Sequence, residues 1–146
     1  MDYQPCFAIE LEKRLSVLPV KPEIVVVDHM GLLLSKHRDL NLKMEEISGA
    51  LTEAAIKNNV VVICICEITK QAMNEGMGIS SVRGSFRIAY NASKLLSLTT
   101  AKDSNGNVST MVIKTEANRE RGHLDVLLKV NGLNIETVKE ASIYEQ

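Results

Sequence analysis

Two carboxylates stand out because each follows directly on an apolar, β-branched run: Asp28 after Ile24-Val25-Val26-Val27, and Glu67 after Val60 to Cys66. In open parallel sheets ligands sit beyond the carboxyl ends of the strands, so acids in these positions are placed to polarise a water or share a Mg²⁺ with a phosphate. An acid at a strand end also serves as a plain cap. What separates the two readings is whether both acids reach one edge of one sheet.

The other reactive side chains are less organised. His29, His37 and His123 have neither metal-ligand spacing nor neighbouring clustered cysteines, so no metal other than Mg²⁺ is expected. Cys6, Cys64 and Cys66 form no even framework and read as buried free thiols, with Cys64 and Cys66 on one face of a strand. Cations fall in two groups. Lys70, Arg83 and Arg87 flank a glycine-containing stretch, and Lys114, Arg119 and Arg121 lie near the far end of the chain.

The elements that must position these residues follow from periodicity. Phe7, Leu11, Leu15 and Leu18 mark a short amphipathic helix, with Glu10 four residues before Arg14 and Pro19 and Pro22 ending it. Glu23 to Asp28 is apolar without alternation, as in a central strand covered on both faces. Ile47, Ala50, Leu51 and Ala54 set a second helical stripe over Asn41 to Asn58, with Asn58-Asn59 as its stop. A second buried strand, Val60 to Cys66, completes a βαβ unit and therefore a parallel pair. Asp28 and Glu67 then share one edge.

Thr69 to Ser81 has no sustained apolar period and reads as a loop, with a short helix from Ser85 to Ala92 after it. Leu95 to Thr99, Thr110 to Lys114 and Leu124 to Val130 read as strands, with a tight turn at Ser104 to Asn107 and another at Asn131-Gly132. A last strand runs near Asn134 to Val138. The fold class is α/β, as one partial domain over 1–146, with no internal repeat.

Composition narrows the function classes. The chain has 146 residues, 45% hydrophobic and 24% charged, which suits one globular domain with a real core. No apolar run is long enough to span a membrane, and the first residues show neither a basic start nor an apolar signal core, so the expected location is cytoplasmic. A net charge of −1 excludes a molecule that is basic overall, so any nucleic-acid contact must be local. Aromatics are 3% and Trp is absent, which argues against bases stacking on an aromatic platform.

Several segments together resemble a family. Ile24 to His29 followed by Gly31-Leu32-Leu33 resembles the Walker B strand (23–28) of DnaB-type replicative helicases and RepA-type plasmid helicases. Val61 to Lys70 resembles their sensor strand (60–67). Arg83 to Ala92 is similar to the segment leaving the DNA-facing loop (69–84), and Lys114 to Gly122, with the later turn at Val130-Asn131-Gly132, to the closing hairpin within the C-terminal strands (94–138). The order is the family's, from Glu23 to Val138.

The resemblance implies a RecA-like fold: a mainly parallel central sheet flanked by helices, ending in a β-hairpin region. It also implies a homo-oligomeric ring or filament that binds ATP and Mg²⁺ between subunits and moves on single-stranded DNA. Asp28 would order Mg²⁺ through water, and Glu67 would occupy the sensor position. The family usually carries a neutral amide there, and an ionised Glu cannot donate a hydrogen bond to phosphate. Lys114, with Arg119 or Arg121, would reach a neighbour's γ-phosphate. Lys70, Arg83 and Arg87 would face DNA and grip phosphates without reading sequence.

No G-x-x-x-x-G-K-[ST] phosphate loop occurs in the sequence, and the family's catalytic glutamate is missing too. The core is incomplete, and half a nucleotide site is present. ATP and Mg²⁺ are expected only if a P-loop-bearing N-terminal segment completes it, with no ATPase activity from this chain alone. The alternative is a catalytically inactive α/β interaction or regulatory domain that binds a small ligand or a protein partner.

Overall fold

The computed structural model describes residues 6–67, 86–120 and 122–143. By contact the chain divides into two compact units, Met1–Ala92 and Ser93–Gln146.

In the first unit a 3-10 turn, Ala8–Glu10, leads into helix α1 (Leu11–Ser16), shorter than the Phe7 to Leu18 span expected from periodicity. Phe7 is held out of the helix by a parallel bridge to Leu34, where the Ala8 N–H donates to the Leu34 carbonyl at 3.1 Å and the Leu34 N–H to the Cys6 carbonyl at 2.9 Å. The Glu10–Arg14 pair forms as the spacing predicts, at 3.0 Å. Strand β1 (Ile24–Val27), a 3-10 turn at Met30–Leu32 and helix α2 (Leu40–Asn58) follow.

Asp39 starts α2 by accepting a hydrogen bond from the Leu42 N–H at 3.0 Å, which satisfies one of the four donors a helix start leaves open. Asn59 ends it in the left-handed region at φ 52°, a conformation asparagine tolerates, with its N–H on the last-turn carbonyls of Ala55 and Ile56. The expected stripe of Ile47, Ala50, Leu51 and Ala54 is buried throughout, and Ile47 and Ala54 are fully enclosed. Burying one such isoleucine contributes about 2 kcal/mol. Buried Asn58 donates through its side chain to the Ala54 carbonyl and to the Glu12 carbonyl, tying α2 to α1.

Strand β2 (Val61–Cys64) returns beside β1 in parallel register, Val27 opposite Cys64, as the βαβ reading requires. The expectation that both strands are covered on both faces is corrected. Val25, Val27, Val62 and Cys64 pack onto the core beneath α1 and α2, whereas Ile24, Val26, Val61 and Ile63 are half or more exposed. Both helices lie on the same side of this pair, so among the described residues only that side is covered. Helix α3 (Phe86–Asn91) adds buried Ile88 to the core, and its Asn91 side chain donates to Ser48 Oγ on α2 at 2.9 Å.

The second unit is a four-stranded antiparallel sheet of β3 (Lys94–Lys102), β4 (Val108–Asn118), β5 (His123–Asn131) and β6 (Asn134–Ile143), in that order. The expected turn between β3 and β4 is built by Asp103, whose carboxylate accepts from the Asn105 and Asn107 N–H groups at 2.9 Å, while Gly106 takes φ 83°. The sheet expected to be mainly parallel differs here: among the described residues parallel strand pairing is confined to β1 and β2, apart from the isolated Phe7–Leu34 bridge, and the larger sheet is antiparallel. Short hairpin turns permit only antiparallel neighbours, whereas a parallel pair needs a crossover as long as α2.

Candidate functional site

The site lies where β1 and β2 end. Pairing continues one step past both strands, with the Ile65 N–H donating to the Val27 carbonyl at 3.0 Å and the Met30 N–H to the Ile65 carbonyl at 2.9 Å. This ladder carries Asp28 and Glu67 to one edge of the pair, and both side chains are exposed. The peptide between Asp28 and His29 is cis.

A residue without any ligand-spacing signal joins them. The His29 imidazole reaches the Glu67 carboxylate, with Nε2 3.9 Å from Oε1, while its Nδ1 is buried and makes no hydrogen bond among the described residues. The ring folds back over Gly31, where an added Cβ would stand 3.1 Å from both Cε1 and Nδ1, so glycine leaves it room. The turn that carries Gly31 is anchored from α2, because Lys43 Nζ donates to the Gly31 carbonyl at 3.0 Å. Sequence spacing missed His29 because its partner lies one crossover away. Its position directly after Asp28 was the signal available.

Magnesium retains most of its waters and is held by one or two carboxylates together with substrate phosphates. Asp28, an exposed hard-oxygen ligand at a strand end, fits that minimal role, and Glu67 is directed to His29 instead. No group of three or more His, Cys, Asp or Glu side chains able to cage a metal occurs among the described residues. Just inside the edge, the Cys64 and Cys66 thiols influence one another, which, with burial, pushes Cys64 up and, against burial, holds Cys66 below the ordinary thiol range.

The remaining candidates lie elsewhere. Arg87, on α3, is 3.6 Å from Glu45 of α2, so this cation also has a structural partner. Lys70 and Arg83 lie outside the described residues, as does Arg121. Lys114 is exposed in the middle of β4 opposite Ser97. Arg119 follows β4, and its backbone N–H donates to the Ser93 carbonyl at 3.0 Å. The turn there is shaped by Asn118, whose side chain donates to the Gly122 carbonyl at 2.7 Å and accepts from the Glu120 N–H at 3.0 Å. The structure thus joins Asp28, His29 and Glu67 in the first unit and places Lys114 and Arg119 in the second.

No helix among the described residues is long and apolar enough to cross a membrane. No protein-family profile and no curated protein matches the chain. Among solved structures, that of a DnaB-like replicative helicase, described with its interactions with primase, matches with a TM-score of 0.74 at 18% identity over 90% of this chain. The match takes in 35% of the helicase, so the chain spans about a third of that protein's length. With the parallel β1/β2 pair and the antiparallel four-stranded sheet, the chain has a mixed α/β fold similar to part of a DnaB-like helicase.

Proposed function

We propose that this chain is the C-terminal portion of a RecA-like ATPase core of the helicase type, acting in DNA replication or recombination. The observation that carries the reading is the meeting of Asp28 and Glu67 at the carboxyl ends of adjacent parallel strands, in a chain whose fold resembles a DnaB-like helicase. In this reading Asp28 holds Mg²⁺ through water beside the phosphates of ATP. The ion supplies charge neutralisation at those phosphates.

Glu67 does not act as the phosphate donor. Its carboxylate stands 3.9 Å from His29 Nε2, which places that imidazole as the polar group beside the carboxylate edge. Lys114, with Arg119 or Arg121, serves a neighbouring subunit's nucleotide, and Lys70, Arg83 and Arg87 contact single-stranded DNA. Catalysis requires a P-loop-bearing segment, either from a longer chain or from a partner in a homo-oligomer, because phosphate cradling and positioning supply most of the effect in phosphoryl transfer.

Amide NMR with Mg–ATP tests this half-site. Shifts should concentrate at residues 27–31 and 65–67 and disappear in Asp28→Asn, while ATP turnover stays at background in both proteins. Shifts confined to other residues, or turnover that Asp28→Asn abolishes, overturn the reading. A second reading, a catalytically inactive regulatory domain, is favoured by Glu67 standing where an amide would sense phosphate. It predicts no Mg–ATP shifts at this edge.

A further inference from the structure

Three sulfur-bearing side chains, Cys64, Cys66 and Met30, share the core cluster on the covered side of the β1/β2 pair. Cys64 closes β2 and Cys66 follows two residues on, so alternation turns both toward the core cluster that contains Met30. Both cysteines pack against the core cluster that holds Met30, and Cys66 Sγ lies 3.5 Å from Met30 Sδ. Met30 is 2% exposed, which fixes its thioether, while both thiols remain partly open to solvent. Neither thiol has a part in phosphate chemistry at Asp28, His29 and Glu67.

Thiolate and thioether ligands select soft metal ions, copper(I) above all. A structural zinc ion would need four nitrogen or sulfur ligands, and among the described residues three sulfurs gather here. A disulfide fits less well, since residues two apart in extended backbone are about 6.6 Å apart at Cα, near the upper limit for a disulfide of about 6.8 Å. Metal–sulfur bonds of about 2.3 Å bridge sulfurs lying about 4 Å apart, close to the 3.5 Å between Cys66 Sγ and Met30 Sδ. We infer that Cys64, Cys66 and Met30 form a site for one soft monovalent cation of the copper(I) or silver(I) class. Two thiolates and one thioether are the ligands, and both thiol protons pass to solvent on binding. This inference is independent of the proposed ATPase role.

The test uses the full chain, reduced and anaerobic, competing for copper(I) against a coloured bicinchoninate complex. One copper per chain is expected. Cys64→Ser and Cys66→Ser should each weaken binding by at least about 100-fold, since loss of an outer-shell partner alone costs about 10–100-fold. Met30→Leu, which conserves volume, should weaken it about tenfold with an unchanged far-UV spectrum, and Cys6→Ser should have no effect. Copper binding that persists in the Cys64/Cys66 double serine variant, that needs Cys6, or that recruits two chains per ion overturns the inference. If the serine variants fail to fold, methyl NMR of wild-type protein during silver(I) titration decides. A selective shift of Met30 among the six methionines supports the site, and an equal shift of all six or none at Met30 overturns it.

Discussion

The two units solve the problem of a core differently. In the first, α2 buries a continuous stripe against α1, α3 and one side of a parallel strand pair, and every fully or nearly buried apolar residue among those described belongs to it. In the second, ladder bonds and hairpin turns define a four-stranded sheet whose central β4 is half-buried almost throughout. Shape in the first unit comes from packing, and in the second from backbone pairing. The chemical groups divide accordingly: a carboxylate and imidazole edge is braced by a packed core, and Lys114 and Arg119 are carried by a sheet and its turn.

The largest expected effect tests that contrast directly. Ile47→Ala should cost about 2–5 kcal/mol, through lost transfer energy and an enclosed cavity, whereas Ile113→Ala on half-buried β4 should cost about 1 kcal/mol. Hydrogen exchange read separately on α2 and β4 checks both. Equal costs would show that the second unit has a core of its own.

The cations of the two regions should differ in role. In single-stranded DNA binding, replacing Lys70, Arg83 and Arg87 by Ala should reduce the slope of log affinity against log salt by about 2, because each neutralised phosphate contributes about 0.7. The same change at Lys114, Arg119 and Arg121 should leave DNA binding nearly intact and weaken nucleotide-linked assembly. Equal loss from both sets in a salt-series anisotropy titration would merge them into one basic surface.

A smaller effect concerns the segment before α2. Ser35 donates a hydrogen bond to the Glu46 carboxylate, and this contact, ahead of the Lys36 backbone and charge, holds Glu46 below the usual carboxylate range. A depressed carboxyl group adds stability above its unfolded pKa of about 4.3 and loses it as pH falls through the folded value. Ser35→Ala should therefore destabilise the first unit by about 1 kcal/mol at neutral pH, and the difference should shrink on acidification. Urea titrations at several pH values check it, and a difference that does not change with pH would assign the loss to packing.

The smallest change sharpens the site itself. Gly31→Ala should displace the His29 ring by a few tenths of an ångström, given the 3.1 Å approach, and weaken its contact with Glu67. The imidazole resonances of His29 report this. An unchanged spectrum would show that the contact does not depend on the close approach at Gly31.

Much of this arrangement was legible in the sequence because it is local. The 3.6-residue spacing of Ile47, Ala50, Leu51 and Ala54 determined α2 and its buried face, and Asn59 its end. The Ser104 to Asn107 turn signal, with Gly106 in it, marked the turn between β3 and β4, and strand, helix and strand in succession required β1 and β2 to run parallel with Asp28 and Glu67 at one edge. Tertiary structure alone decided the rest. That β1 and β2 are covered on one side depends on where α1 and α2 pack, and the pairing of Arg87 with Glu45 depends on α3 meeting α2. His29 with Glu67, and Met30 with Cys66, join residues more than 35 positions apart, and neither periodicity nor spacing carries information across a crossover of that length until the backbone has closed it.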